Sequence, residues 1–158
     1  MEPTATADAP SQEGDQAIVT IAQGYTVHTG VLSSKIYKGK VYANREMILL
    51  CADTDLSKRS IYMHFGLIGA LALHFANKKV ARLDVSTMPK VLRDQLAKDR
   101  LSPIDLQVIP KTGIIRIDTG LMSGVKVVSE RGKYGLNYGL FGKKSLLAKL
   151  RHLGFAIA

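Results

Sequence analysis

The stretch IDLQVIPKTGIIRIDTGLMSGVKVVSERGKYGLNYGLF, residues 104–141, alternates Val, Ile and Tyr with small or polar residues. A period of two is typical of β-strands that bury one face. The turn sequences PKTG, TG and ERG divide the stretch into four predicted strands. These strands are 104–109, 113–118, 124–130 and 133–141. Because connections this short join antiparallel neighbours, we predict an antiparallel meander.

The first half of the chain carries the same signal. Residues 25–33 and 35–42 alternate in the manner of strands, whereas residues 46–52 are apolar at nearly every position. A continuous apolar run of this length predicts a strand that is buried on both faces or lies at a strand crossing. The single cysteine, Cys51, lies in this run and is predicted to be a buried thiol.

The end of the chain has the periodicity of an amphipathic helix, predicted over residues 143–153. Its apolar face consists of Leu146, Leu147, Leu150 and Leu153. Gly154 follows as the C′ residue, and Phe155 is placed to contact Leu150 in a Schellman ending. An apolar helix face after so many strands predicts a helix that caps the open end of a curved sheet.

These patterns predict an α+β fold, which is a mainly antiparallel bent β-sandwich or barrel capped by the C-terminal amphipathic helix. We expect a disordered acidic tail over residues 1–16, which has no basic n-region or apolar core of a secretory signal. A single domain then covers residues 17–158, with an inserted helical segment at 56–101.

The inserted segment contains two predicted helices. Residues 65–76 hold no charged residue and are too short to cross a bilayer, which takes about 20 apolar residues. A buried core helix is the favoured interpretation, and a segment that enters a membrane interface is the alternative. The membrane-contact candidates are Phe65, Leu67, Ile68 and Leu71. Residues 87–100 predict an amphipathic helix with Ser86 or Thr87 as its N-cap.

Charge is distributed unevenly along the chain. Residues 1–34 contain four acidic residues and no Lys or Arg, whereas the remaining chain contains 22 basic and nine acidic residues, an excess of 13 positive charges. Such an excess favours phosphate-rich partners, although a solvated cationic surface explains it equally well. The candidates for contact with an anion or lipid lie at predicted turns and at the start of the last helix. They are Lys35, Lys38, Lys40, Arg131, Lys133, Lys143 and Lys144.

Motifs for catalysis or metal binding do not emerge from the sequence. The four histidines match no zinc spacing, and no Gly-x-Ser-x-Gly elbow accompanies the serines. We therefore predict a non-catalytic protein without a cofactor or metal.

The run GKVYANREMILL at residues 39–50 resembles a strand signature of pleckstrin-homology-like and GRAM-like domains, including bacterial ones. The segments IPKTGIIRIDTG and GVKVVSERGKYGLNYGLFGKK and the closing helix are similar to the end of those domains. The resemblance covers residues 30–53 and 104–155. It implies seven antiparallel strands capped by one helix, and a binding or scaffold role on phosphoinositides, other anionic membranes or proteins.

The expected function is that of a cytoplasmic binding module, peripheral at a membrane, whose partner is an anionic membrane surface or another protein. A less favoured alternative is a single-stranded nucleic-acid-binding β-barrel that stacks bases on Tyr25, Tyr37, Tyr134 and Tyr138. A small enzyme whose site the sequence does not reveal is the third interpretation.

Overall fold

The computed structural model describes residues 17–57, 66–122, 124–140 and 142–158 of the chain. Its strands are β1 (Val19–His28), β2 (Ser34–Ala43), β3 (Met47–Asp55), β4 (Asp105–Pro110), β5 (Ile114–Gly120), β6 (Gly124–Ser129) and β7 (Gly132–Asn137). Its α-helices are α1 (Gly66–Lys79), α2 (Lys90–Lys98) and α3 (Gly142–His152). The expected acidic tail over residues 1–16 lies outside the described residues.

All seven strands form one antiparallel, strongly curled sheet in the order β4-β3-β2-β1-β7-β6-β5. β1 pairs with both β2 and β7 and so joins strands β2–β4 to strands β5–β7. Its pairing with β2 shifts register between Thr20 and Ala22 and again between Ala22 and Gly24. Irregularities of this kind bend a strand and increase its twist. The predicted α+β class, antiparallel meander and capping helix are confirmed. This architecture is compatible with a pleckstrin-homology-like fold without being specific to it.

The main core lies on the concave side of the sheet, where alternate residues of the strands meet α3. Val41 and Leu50 are fully buried there, together with Leu146 and Leu150 of the helix and the nearby Phe155. The helix ends as expected, since the Phe155 amide donates to the Leu150 carbonyl at 3.0 Å and the Gly154 amide donates to the Arg151 carbonyl at 2.9 Å. The predicted Schellman ending is therefore confirmed.

Replacement of Gly154 by alanine should destabilise the fold by about 1 kcal/mol, because Gly154 has a φ of 83° and a Cβ is unfavourable in that region. Thermal unfolding monitored by circular dichroism measures the effect. Gly154→Asn is the matched control and should recover part of the loss, since asparagine tolerates this conformation better. An alanine variant as stable as the wild-type protein would contradict the prediction.

A second apolar cluster covers the outer face of β2 and β3. Tyr42, Leu49 and Cys51 point away from the main core and pack against Leu92 and Leu96 of α2. The apolar run of β3 is continuous because its residues alternate between two buried faces, which confirms that prediction. The Cys51 thiol is buried, and burial followed by the nearby Asp105 carboxylate raises its pKa to about 12.

Hydrogen bonds anchor the end of α2 to the sheet. The Tyr42 hydroxyl donates to the Asp99 carboxylate at 2.6 Å, and the Gln95 amide donates to the same oxygen at 3.0 Å. Burial by itself raises the pKa of the Asp99 carboxyl. The two hydrogen bonds, together with the positive charges of Lys40 and Lys98, outweigh burial and hold the pKa below its usual range. The predicted N-cap was wrong: Pro89 occupies that position.

Helix α1 corrects the favoured interpretation of the apolar segment. A helix forms there, but it is not a core helix, because Leu67 is 78% exposed and Ile68 is 77% exposed. The main core takes α3 on the inner face of the sheet, and α2 packs on the outer face of β2 and β3, so neither of these two described clusters includes α1.

Candidate functional site

The loop between β1 and β2, residues 29–33, presents two apolar side chains at its tip. The Thr29 and Ser33 hydroxyls lie 2.8 Å apart, and the Thr29 amide donates to the Ser33 carbonyl at 3.1 Å. These contacts close the loop and leave Val31 and Leu32 fully exposed. Two adjacent, fully exposed aliphatic residues on a closed loop form a ready contact for an apolar environment.

The inserted segment departs from and returns to the same end of the sheet. The Leu56 amide donates to the Ile36 carbonyl at 2.8 Å, and the Ile36 amide donates to the Ser57 hydroxyl at 3.2 Å. On the return, the Arg82 guanidinium donates to the Asp53 and Ser102 carbonyls. The segment that carries α1 is thus attached at the end of the sheet where β1 leads into the 29–33 loop.

Four exposed apolar side chains of α1 have the spacing of one helix face. They are Leu67, Ile68, Leu71 and Phe75, of which Phe75 is 57% exposed. The helix contains no acidic residue and is apolar on most of its surface. A helix with this composition is normally buried in a core or a partner. Of the four membrane-contact candidates, three are exposed on α1, and Phe65 lies outside the described residues.

Three of the seven predicted cationic residues lie at this end of the sheet. Lys35 is the second residue of β2 and pairs with Val27, which faces the main core. Lys133 is the second residue of β7 and pairs with His28 on the opposite face. Arg131 is exposed in the turn between β6 and β7, and its guanidinium donates to the Val108 carbonyl of β4 at 3.5 Å. We call these three side chains, the 29–33 loop and α1 the docking surface.

The remaining four candidates do not join the docking surface. Lys38 pairs with Gly24 and Thr54 on β1 and β3, and Lys40 donates to the Gln23 side chain at 2.6 Å. Lys144 is exposed at the start of α3. Lys143 donates to the Gly120 carbonyl and so joins α3 to the end of β5. The structure therefore does not bring all seven cations to one place.

A second group of polar residues, which the sequence interpretation did not assemble, lies on the outer face of β1, β7 and β6. Here a groove of about 400 Å³ is lined by Thr26, His28, Met122, Gly124, Val125, Gly135, Leu136, Asn137 and Tyr138. We call it the outer groove. Lys133 and Lys126 are not lining residues of the groove, but Lys133 lies directly across from His28 and Lys126 directly across from Gly135, which both line it. Alternation indicated that Lys126 points outward, but only the strand register places it beside His28.

The surroundings of the outer groove lower the pKa of His28. Burial lowers the pKa of the His28 imidazole, and the positive charges of Lys126 and Lys133 lower it further. A Cβ at Gly135 would lie 3.5 Å from the His28 Nε2 atom, so the imidazole lies over this glycine. These surroundings therefore disfavour the protonated form of His28, and an added negative charge would favour it.

The stacking residues of the nucleic-acid interpretation are largely inaccessible. Tyr25 is fully buried, with its hydroxyl 3.4 Å from the Asp105 carboxylate, and Tyr134 is also buried. Burial, followed by Asp105, raises the pKa of the Tyr25 hydroxyl. Neither ring can stack on a base in this fold, which leaves Tyr37 and Tyr138 as the accessible candidates.

Within the described ranges, no cluster of three His, Cys, Asp or Glu side chains has the arrangement of a metal site. Over the same ranges no helix has the length and apolar character that a membrane span requires. Comparisons with protein-family models, curated proteins and solved structures yield no match to this chain.

Proposed function

We propose that the protein is a non-catalytic, pleckstrin-homology-like or GRAM-like module that attaches peripherally to an anionic membrane surface from the cytoplasmic side. In this proposal α1 and the tip of the 29–33 loop enter the interface, while Lys35, Arg131 and Lys133 contact lipid headgroups. The observation that carries the proposal is the exposure of an apolar helix with no acidic residue.

The dimensions of α1 suit an interfacial position. Its 14 residues span about 21 Å at 1.5 Å per residue, whereas the hydrocarbon core of a bilayer is about 30 Å thick. A short apolar helix beside cationic residues gains affinity from two sources, which are apolar burial at the headgroup boundary and attraction to anionic lipids. The docking surface provides both at one end of the sheet.

Co-sedimentation with vesicles tests the proposal. We expect binding to vesicles of phosphatidylcholine with phosphatidylserine, weaker binding to phosphatidylcholine alone, and a decrease with added salt because salt screens exposed charges. Negligible binding to both vesicle types at low salt would contradict membrane docking and would favour a partner protein as the cover for α1. A gel shift on single-stranded RNA under the same conditions distinguishes the nucleic-acid interpretation, in which affinity falls steeply with salt.

The double variant Lys35→Gln/Lys133→Gln should bind anionic vesicles about 30-fold more weakly, because each cation near an anionic surface contributes about 1 kcal/mol. Vesicle co-sedimentation at low salt measures the change. The matched control is Lys90→Gln/Lys98→Gln, which removes the same charge from exposed positions on α2. Equal losses in the two variants would show that only net charge matters and would contradict the docking surface.

A further inference from the structure

The outer groove combines several groups that suit an anion. Its floor includes Gly135, so no side chain covers the strand between His28 and Lys126 at that point. Thr26, Asn137 and Tyr138 add a hydroxyl, an amide and a phenol to the lining. Hydroxyl and amide donors beside ammonium groups are the side chains that bind phosphate oxygens in proteins.

The charges around His28 are almost all of one sign. From β7 it faces Lys133 and from β6 it faces Lys126, while its partner on β2 is Ser34. The sequences of β1, β6 and β7 contain no acidic residue. On β5, Asp118 pairs in register with Lys126, but its carboxylate receives the Arg116 guanidinium at 2.9 Å. In the described part of the chain, neither Lys126 nor Lys133 has an ion pair with a carboxylate.

Lys126 and Lys133 lie diagonally across β6 and β7 on the same face of the sheet. An anion placed between them would be attracted by both ammonium groups. We propose that the outer groove binds a phosphate group between Lys126, Lys133 and His28, and that His28 takes up a proton when the phosphate binds. Lys133 also belongs to the docking surface, but the groove would bind phosphate whether or not α1 meets a membrane.

The sign of the pH dependence follows from linkage. In the free protein the His28 imidazole has a pKa below its ordinary value. A bound phosphate favours the protonated form and raises that pKa. Since coupling between proton and phosphate is reciprocal, protonation of His28 favours phosphate binding, so the wild-type protein should gain affinity over His28→Gln as the pH falls. The comparison at each pH cancels the second ionisation of the phosphate itself.

NMR titration of the histidine side chains tests the proposal with inorganic phosphate as the probe. We expect phosphate to raise the pKa of His28 and to leave the NMR titration curve of His152, which is exposed on α3, without a response. Lys126→Gln should weaken phosphate binding by about 2- to 5-fold, and Lys90→Gln should not. Equal responses of the two histidines, or an unchanged His28 response in Lys126→Gln, would overturn the proposal. Thermal unfolding of each variant verifies that the fold is retained.

A vesicle experiment identifies the source of the phosphate. If the groove takes a lipid headgroup, the wild-type protein should gain binding to vesicles of phosphatidylcholine and phosphatidic acid over His28→Gln as the pH falls, a comparison at each pH that cancels the protonation of the headgroup itself. His152→Gln is the matched control and should bind as the wild-type protein does at each pH. If the groove takes free phosphate, vesicle binding is the same in Lys126→Gln and wild type, while the NMR response remains. An NMR response without any vesicle binding would contradict membrane docking and leave the phosphate site supported.

Discussion

Replacement of Leu67, Ile68 and Leu71 by alanine is expected to weaken binding to anionic vesicles by roughly 100-fold. Each side chain would contribute about 1 kcal/mol through partial burial at the interface, and 1.4 kcal/mol corresponds to a factor of ten. Alanine is the best helix former, so the triple variant retains α1 while its apolar surface shrinks. Co-sedimentation at constant low salt measures the change, and circular dichroism reports the helix content.

The matched control removes the same amount of exposed apolar surface elsewhere. Leu121 and Leu140 are almost fully exposed, on the turn between β5 and β6 and the loop after β7, and together they expose about as much apolar side chain as the three α1 residues. Their double alanine variant should bind vesicles as the wild-type protein does. If it lost as much affinity as the α1 variant, binding would depend on exposed apolar surface in general. That result would contradict the proposed role of the docking surface.

The largest effect on stability is expected from Gly39→Ala, at about 2 to 3 kcal/mol or more. Gly39 lies at the register shift between β2 and β3, where a Cβ would overlap the Cys51 carbonyl oxygen and lie 3.0 Å from the Ala52 Cα. Both obstacles are backbone atoms, so the strands would have to separate. Denaturant unfolding measures the free energy of unfolding of the variant against the wild-type protein.

Gly139→Ala is the matched control for this substitution. It makes the same chemical change in the exposed loop before α3, where a Cβ would meet no atom within 4 Å. Its stability should lie within about 0.5 kcal/mol of wild type, as for most surface substitutions. A Gly39→Ala variant as stable as Gly139→Ala would show that the close approach of β2 and β3 is not required.

The strands and the closing helix could be predicted because their signal is local. Alternation at residues 104–141 and the leucine face of α3 reflect the period of each element, and the Gly154–Phe155 ending depends on a few adjacent residues. Boundaries were less accurate: β1 begins at Val19 rather than near Tyr25, and β7 ends at Asn137. The ends of a strand are set by its hydrogen bonds to neighbouring strands, and the sequence of one strand alone does not determine those hydrogen bonds.

The docking surface was only partly predictable. Turn sequences indicated that Lys35, Arg131 and Lys133 lie at strand ends, but which ends adjoin depends on the pairing of β1 with both β2 and β7. The same pairing separates Lys40, Lys143 and Lys144 from them. His28 and Lys126 were individually visible as a histidine and an outward lysine, yet nearly 100 residues separate them in the chain.

The sequence by itself determined the α+β class, the antiparallel strands, the buried Cys51 run and the capping helix, because each follows from a short-range pattern of apolar residues. Tertiary structure alone decided that α1 remains exposed and that the outer groove exists. The apolar periodicity of a segment indicates which of its side chains favour burial. Whether a surface is available to cover them depends on where α2 and α3 pack on the sheet. Strand register, a long-range property, decides which charges become neighbours.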